Sequence, residues 1–126
     1  SVATPFEHRS FGEELALCMR YFEKSYDYGT AIGSGGVPNG FVQSLSNGVI
    51  TSSTQGTKWI VPKRAQPTVT MYNGVAGTTG QAYRESDAAT VTITPQYIGF
   101  TGFPRAVLGS AKEDMYLWHY TAEAEL

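Results

Sequence analysis

Cysteine, histidine and charge are all scarce in this chain, and each scarcity removes a class of function. Cys18 is the only cysteine, so no intrachain disulfide can form. A domain of 126 residues needs none, because it buries roughly two-thirds of the surface its unfolded chain exposes. One cysteine and two distant histidines, His8 and His119, give no zinc spacing, and no Asp-x-Asp-x-Asp-Gly loop is present for calcium. No metal and no cofactor are expected. Charged residues make up 16% of the chain and sum to −2, which leaves no basic surface of the kind that binds nucleic acid by counterion release. No apolar run approaches the roughly 20 residues of a membrane-spanning helix, and the N-terminus carries no basic-then-apolar leader. The reading is one domain that neither binds nucleic acid nor inserts into a membrane. Its abrupt start, without Met, points to a piece cut from a longer polypeptide.

What is present begins with a helix. Pro5 fixes its own φ and pushes Thr4 towards extended geometry, so residues 1–10 read as an extended linker from a preceding module. Ser10 then offers an N-cap, and Glu13 three residues later completes a Ser-x-x-Glu capping box at the positive end of the helix dipole. Phe11, Leu15, Cys18 and Phe22 recur at helical spacing, with Leu17 and Tyr21 widening the stripe. The pattern predicts a helix from Phe11 to about Lys24, with Cys18 buried as a small apolar side chain.

From Thr30 onwards the chain reads as a sheet protein. Asn39-Gly40, Asn47-Gly48 and Asn73-Gly74 are tight-turn dipeptides. Between them lie β-prone runs: Phe41 to Ser44, Val49 to Ser52, Lys58 to Val61, Thr68 to Tyr72, Thr90 to Thr94, Gly99 to Phe103 and Tyr116 to Thr121. Residues 68–71 and 90–94 alternate polar and apolar, as a sheet with one wet face requires. The predicted class is α+β, mainly β. One N-terminal amphipathic helix packs on an antiparallel, jelly-roll-like β-sandwich, and residues 11–126 form a single domain.

Catalytic patterns are thin. A Ser/His/Asp hydrolase needs a histidine poised beside its nucleophile, but neither His8 nor His119 has such a context and no Gly-x-Ser-x-Gly elbow occurs. Gly33-Ser34-Gly35-Gly36 lacks the Lys-Ser/Thr of a phosphate loop and reads as a surface loop. Of the eleven acids, Glu13, Glu14 and Glu23 are accounted for by the helix surface, Glu113 and Asp114 by a turn before the last strand, and Glu123 and Glu125 by the tail. Asp27, Glu85 and Asp87 remain as acids with aromatic or basic partners that could build a glycosidase carboxylate pair, and no catalytic residue is assigned. Aromatics are the remaining signal, at 8 Tyr, 6 Phe and 2 Trp. Their flat apolar faces and polar edges suit sugars and protein interfaces alike. Trp59, Trp118 and Phe41 are read as core or subunit interface. Tyr26, Tyr28, Tyr72, Tyr83 and Tyr97 sit beside turns or loops and, with Arg84, are the candidate ligand-binding residues.

Three stretches carry a family resemblance. Val2-Ala3-Thr4-Pro5-Phe6-Glu7, then Glu14-Leu15-Ala16-Leu17-Cys18 with Arg20-Tyr21 and Glu23-Lys24-Ser25-Tyr26-Asp27, and finally Tyr120-Thr121-Ala122 with Ala124-Glu125-Leu126 resemble the C-terminal domains of tailed-bacteriophage appendage proteins, tail fibres above all. The likeness covers both ends, whereas Thr30 to Gly109 departs. It implies a virion protein exposed to the medium, a homotrimer, attachment to other virion proteins through the N-terminal linker, and a distal surface that meets a bacterial receptor, often polysaccharide or lipopolysaccharide. It also implies that the helix lines a three-fold axis or braces the sheet. Leu15, Leu17, Tyr21 and Phe22 would be the contact residues, joined by Trp118 at the interface. The expected function is a non-catalytic tip domain binding a host-surface glycan. The alternatives are a structural virion module (head fibre, decoration or connector) and a small polysaccharide depolymerase.

Overall fold

The computed structural model describes residues 10–27, 29–36, 40–46, 53–109 and 113–125. Among these residues one helix, α1 (Phe11–Met19), is followed by eight strands: β1 (Phe22–Lys24), β2 (Val42–Ser46), β3 (Ser53–Lys58), β4 (Thr68–Asn73), β5 (Gln81–Arg84), β6 (Ala89–Gln96), β7 (Gly102–Leu108) and β8 (Asp114–Glu123). The fold is α+β and mainly β, and every strand pairing is antiparallel. The strands join edge to edge in one sheet of order β1-β8-β5-β6-β7-β3, with β2 and β4 also paired to β8. The sheet curls, so that β3 at its far end comes close to β2.

The ten residues of β8 are the spine of the sheet. Residues 121–123 pair with both β1 and β4, and Trp118 pairs with both β2 and β4, so β8 carries two partners along each edge. Seven consecutive residues, Tyr116 to Ala122, are buried, which fits a strand covered on both faces. One face holds Tyr116, Trp118, Tyr120 and Ala122, which pack with Trp59, Met71, Ala82, Ile93, Phe103 and Leu108 as the main core. His119 on the other face lies under a second aromatic group. Tyr26 stacks on its ring at 3.8 Å, while Phe41 meets it and Tyr72 meets Tyr26 edge-on. Gly74 is forced by this crowding, because a Cβ there would stand 2.8 Å from the Leu117 carbonyl carbon.

The helix starts where the sequence places it and ends earlier. The Ser10 hydroxyl accepts from the Glu13 amide at 3.2 Å. After Met19, however, Arg20 and Tyr21 make a turn and Phe22–Lys24 leaves the helical path as β1, because residues 121–123 of β8 offer a free edge there. None of the α1 residues is buried; Phe11 is 68% exposed and Leu17 39%. Cys18 is exposed, contrary to its expected burial, since the stripe it belongs to does not close onto the sheet. Trp118, read from the sequence as core or subunit interface, is 0% exposed and lies in the core.

Other sequence expectations shift by a few residues. Asn73-Gly74 opens a longer loop instead of a two-residue hairpin. The Asn73 Oδ1 accepts from the amides of Val75 and Ala76, both at 2.8 Å, in an Asx turn. Only Lys58 of the run Lys58 to Val61 is in a strand, and β7 begins at Gly102, leaving residues 97–101 as the β6–β7 loop. Asn39, the Asn47-Gly48 turn and the run Val49 to Ser52 lie outside the described residues.

Candidate ligand-binding face

The outward face of β6, β7 and β3 presents a row of planar polar side chains. Register places Gln96 opposite Arg105 and Arg105 opposite Gln55. Their neighbours Thr54 and Ala106 point into the core, so Gln96, Arg105 and Gln55 share the opposite face. The Arg105 Nε–H donates to Gln96 Oε1 at 2.9 Å, and its guanidinium lies over the Tyr97 ring, 5.2 Å from the centroid. Tyr97 itself is 71% exposed. Its φ of 58° is left-handed, a conformation a tyrosine holds only when its surroundings fix it. Gln55 and Lys58 border a shallow depression of about 330 Å³ beside this row. Phe100, 58% exposed, stands on the same β6–β7 loop.

A buried ionic network holds that loop. The Glu23 carboxylate accepts from the Ile60 amide at 3.0 Å, from the Lys63 ammonium at 2.9 Å and from the Tyr120 hydroxyl at 2.7 Å. Both members of the Glu23–Lys63 pair have fully buried side chains. Burial and the hydrogen bond to Glu23 push the Tyr120 phenol far above its usual range. Lys63 also donates to the Val61 carbonyl at 2.6 Å and stands over the Trp59 ring. The segment so clamped, residues 59–63, bonds directly to the β6–β7 loop. Trp59 donates from its amide to Thr101 O at 2.9 Å and from its indole to Gly99 O at 3.1 Å, and the Lys63 amide donates to Phe100 O at 2.8 Å.

The candidate residues read from the sequence are scattered. Tyr97 is on the exposed face just described, but Tyr26 is 4% exposed and stacked on His119, too buried to meet a ligand without rearrangement. Tyr72 is half-buried beside it, Tyr83 is half-buried in β5, and Tyr28 lies outside the described residues. Arg84 is committed to a two-pronged contact with Asp87, at 2.9 and 2.8 Å, which raises its pKa. Leu15 and Phe22 are half-buried and Tyr21 is 43% exposed under a stacked Arg64 guanidinium. Sequence reasoning missed Arg105, Gln96, Gln55 and Lys58, which are polar residues from three strands that only the register brings together.

One pair has the outline of a catalytic dyad. The Ser25 Oγ lies 2.8 Å from His119 Nδ1, but it also accepts from the Tyr120 amide at 2.8 Å, and His119 is sealed beneath Tyr26. These contacts extend the β1–β8 ladder, since the Ser25 amide donates to Tyr120 O at 3.0 Å. Among the described residues, no group of three His, Cys, Asp or Glu could hold a metal. No helix among them is long and apolar enough to cross a membrane. Comparisons with family models, with curated proteins and with solved structures return no match to this chain.

Proposed function

We propose that this domain is a non-catalytic tip module of a phage tail fibre that binds a glycan on the host surface. The observation that carries the reading is the exposed Tyr97 ring, set beside Arg105 and Gln96 where the β6–β7 loop leaves the outward sheet face. An aromatic face covers the apolar side of a pyranose while fixed planar donors and acceptors read its hydroxyls, and neither contribution requires a reacting group. The N- and C-terminal sequence motifs supply the family context. A fluorescent fusion of the domain tests the proposal on whole bacterial cells of several strains, with and without stripped surface polysaccharide. Host-restricted staining that stripping abolishes is expected, and equal staining of stripped cells overturns the glycan reading.

The helix favours a second role for the same chain, contact with other copies or with neighbouring virion proteins. Phe11, Leu17 and Ile60 are exposed, and an open cavity of about 530 Å³ runs between α1, β1 and Ile60. A helix that buries none of its own residues gains little by forming alone, so a trimer that covers this apolar surface accounts for its amphipathic pattern. Sedimentation at micromolar concentration distinguishes the trimer from a monomer.

A further inference from the structure

We infer that the β6–β7–β3 face selects an acidic saccharide unit, its anionic group held by Arg105 and its ring lying along Tyr97; this inference rests on the glycan-binding reading above. Arg105 and Lys58 are the cations of this face, and neither is ion-paired with a carboxylate among the described residues. Two other cations differ. Lys63 is neutralised by Glu23 and Arg84 by Asp87. Lys24 and Arg64 are instead engaged by main-chain carbonyls, those of Thr30 and Ala124.

Arg105 is also preorganised. Its Nε–H is fixed by Gln96, and one terminal N–H reaches the Tyr97 hydroxyl at 3.5 Å. Of the five donors a guanidinium carries, three are left without a partner among the described residues. They project from a plane whose tilt is set by Tyr97 beneath it, and a fork of this kind matches the two oxygens of a carboxylate or the oxygens of a phosphate. Gln55 and Lys58 extend the polar surface along the depression, in reach of the next sugar of a chain. A neutral sugar would use the same stacking face and leave this charge without its complement.

The experiment is an array of bacterial glycans, in matched neutral, uronate-bearing and phosphorylated forms, probed with the fluorescent full chain and with Arg105→Gln, Arg105→Lys and Tyr97→Asn. Asparagine tolerates left-handed φ, so the last variant removes the ring without forcing the loop to move. Each variant's melting temperature is measured beside the parent's to confirm its folding. Acidic forms are expected to bind about tenfold or more tightly than their neutral partners, with that preference abolished by Arg105→Gln and reduced by Arg105→Lys. The uronate and phosphate arms separate the two sources of charge. Equal binding of neutral and acidic forms, lost only in Tyr97→Asn, overturns the acidic selectivity and leaves the glycan reading standing. Binding to no glycan overturns both.

Discussion

Replacing Glu23 by Gln should be among the most damaging single changes in this protein. The substitution keeps the shape of the side chain and removes its charge, leaving the Lys63 ammonium fully buried beside an amide. Breaking a buried ion pair from one side costs about 3–5 kcal/mol, far more than a surface pair, because the remaining charge loses its partner without regaining water. The amide also turns two donor hydrogens towards a site where the Ile60 amide, the Lys63 ammonium and the Tyr120 hydroxyl all donate. Against a total stability of about 5–15 kcal/mol, the loss takes from about a fifth to all of what a domain of this kind has. At roughly 4 °C per kcal/mol for this size, melting should fall by about 12–20 °C. Urea titration with melting followed by tryptophan fluorescence measures it, because Trp59 lies beneath the Lys63 ammonium. Lys63→Met and the double variant complete a mutant cycle, in which the double variant should be more stable than the sum of the single losses predicts, by roughly 1–3 kcal/mol. A loss below about 1 kcal/mol for Glu23→Gln, or strict additivity in the double variant, would refute a buried, mutually dependent pair.

Stability should fall as pH rises above about 10. The Tyr120 phenol, raised in the folded state by burial and by Glu23, stays protonated while its unfolded counterpart ionises, so the folded state holds more protons and each further pH unit costs about 1.4 kcal/mol. Tyr120→Phe should flatten that slope in urea titrations across alkaline pH; burial of Tyr26 acts in the same direction and leaves a residual slope. Gly74→Ala should cost about 1–3 kcal/mol, read as a lower melting temperature, because its Cβ would meet the Leu117 main chain at 2.8–2.9 Å and the β4–β8 crossing cannot open freely. Leu17→Glu on the exposed helix should leave melting of the isolated fold within about 0.5 kcal/mol while converting the proposed trimer to monomer in sedimentation. An unchanged oligomer would remove the helix from the interface.

Local chemistry was legible in the sequence and non-local pairing was not. The Ser10 cap fixes the start of α1 within four residues of chain, so the sequence alone could place it. The end of α1 depends on β8, about a hundred residues away, and the apolar pattern carried through Phe22 gave no sign that this residue would pair with Glu123. The same pairing turns Glu23, which looked like an acid on a helix surface, into the centre of a buried network. β8 announced itself by a run of aromatics, whereas β5 is four residues long and held between β6 and β8 by register. Tyr97 could be nominated because exposed aromatics cluster near turns. Arg105, Gln96 and Gln55 could not, because their proximity is a property of two strand pairings and leaves no spacing signal in the chain.

These same pairings explain how a strained tyrosine can be held ready for a ligand. A non-glycine residue at positive φ costs on the order of 1–3 kcal/mol and survives only where its neighbours over-determine it. Here the β6–β7 loop is closed on itself by the Gly99 amide bonding to Gly102 O at 2.8 Å, and it is tied at three points to residues 59–63. That segment is in turn fixed by a carboxylate on β1, which a phenol on β8 holds by its own hydrogen bond. Surface loops usually lose entropy on binding, which subtracts from affinity. A loop whose backbone is fixed through a buried ion pair avoids much of that loss, so the energetic role of Glu23 and Lys63 extends beyond stability. If the proposed glycan site is correct, mild disruption of the network, as in Tyr120→Phe, should therefore weaken binding there through a mobile Tyr97, although Tyr120 lies in the core. Hydrogen exchange at residues 97–101 separates this effect from a general loss of folding: faster exchange confined to the loop, with β8 still protected, is the expected outcome. An unchanged loop in a weakened binder would refute the coupling.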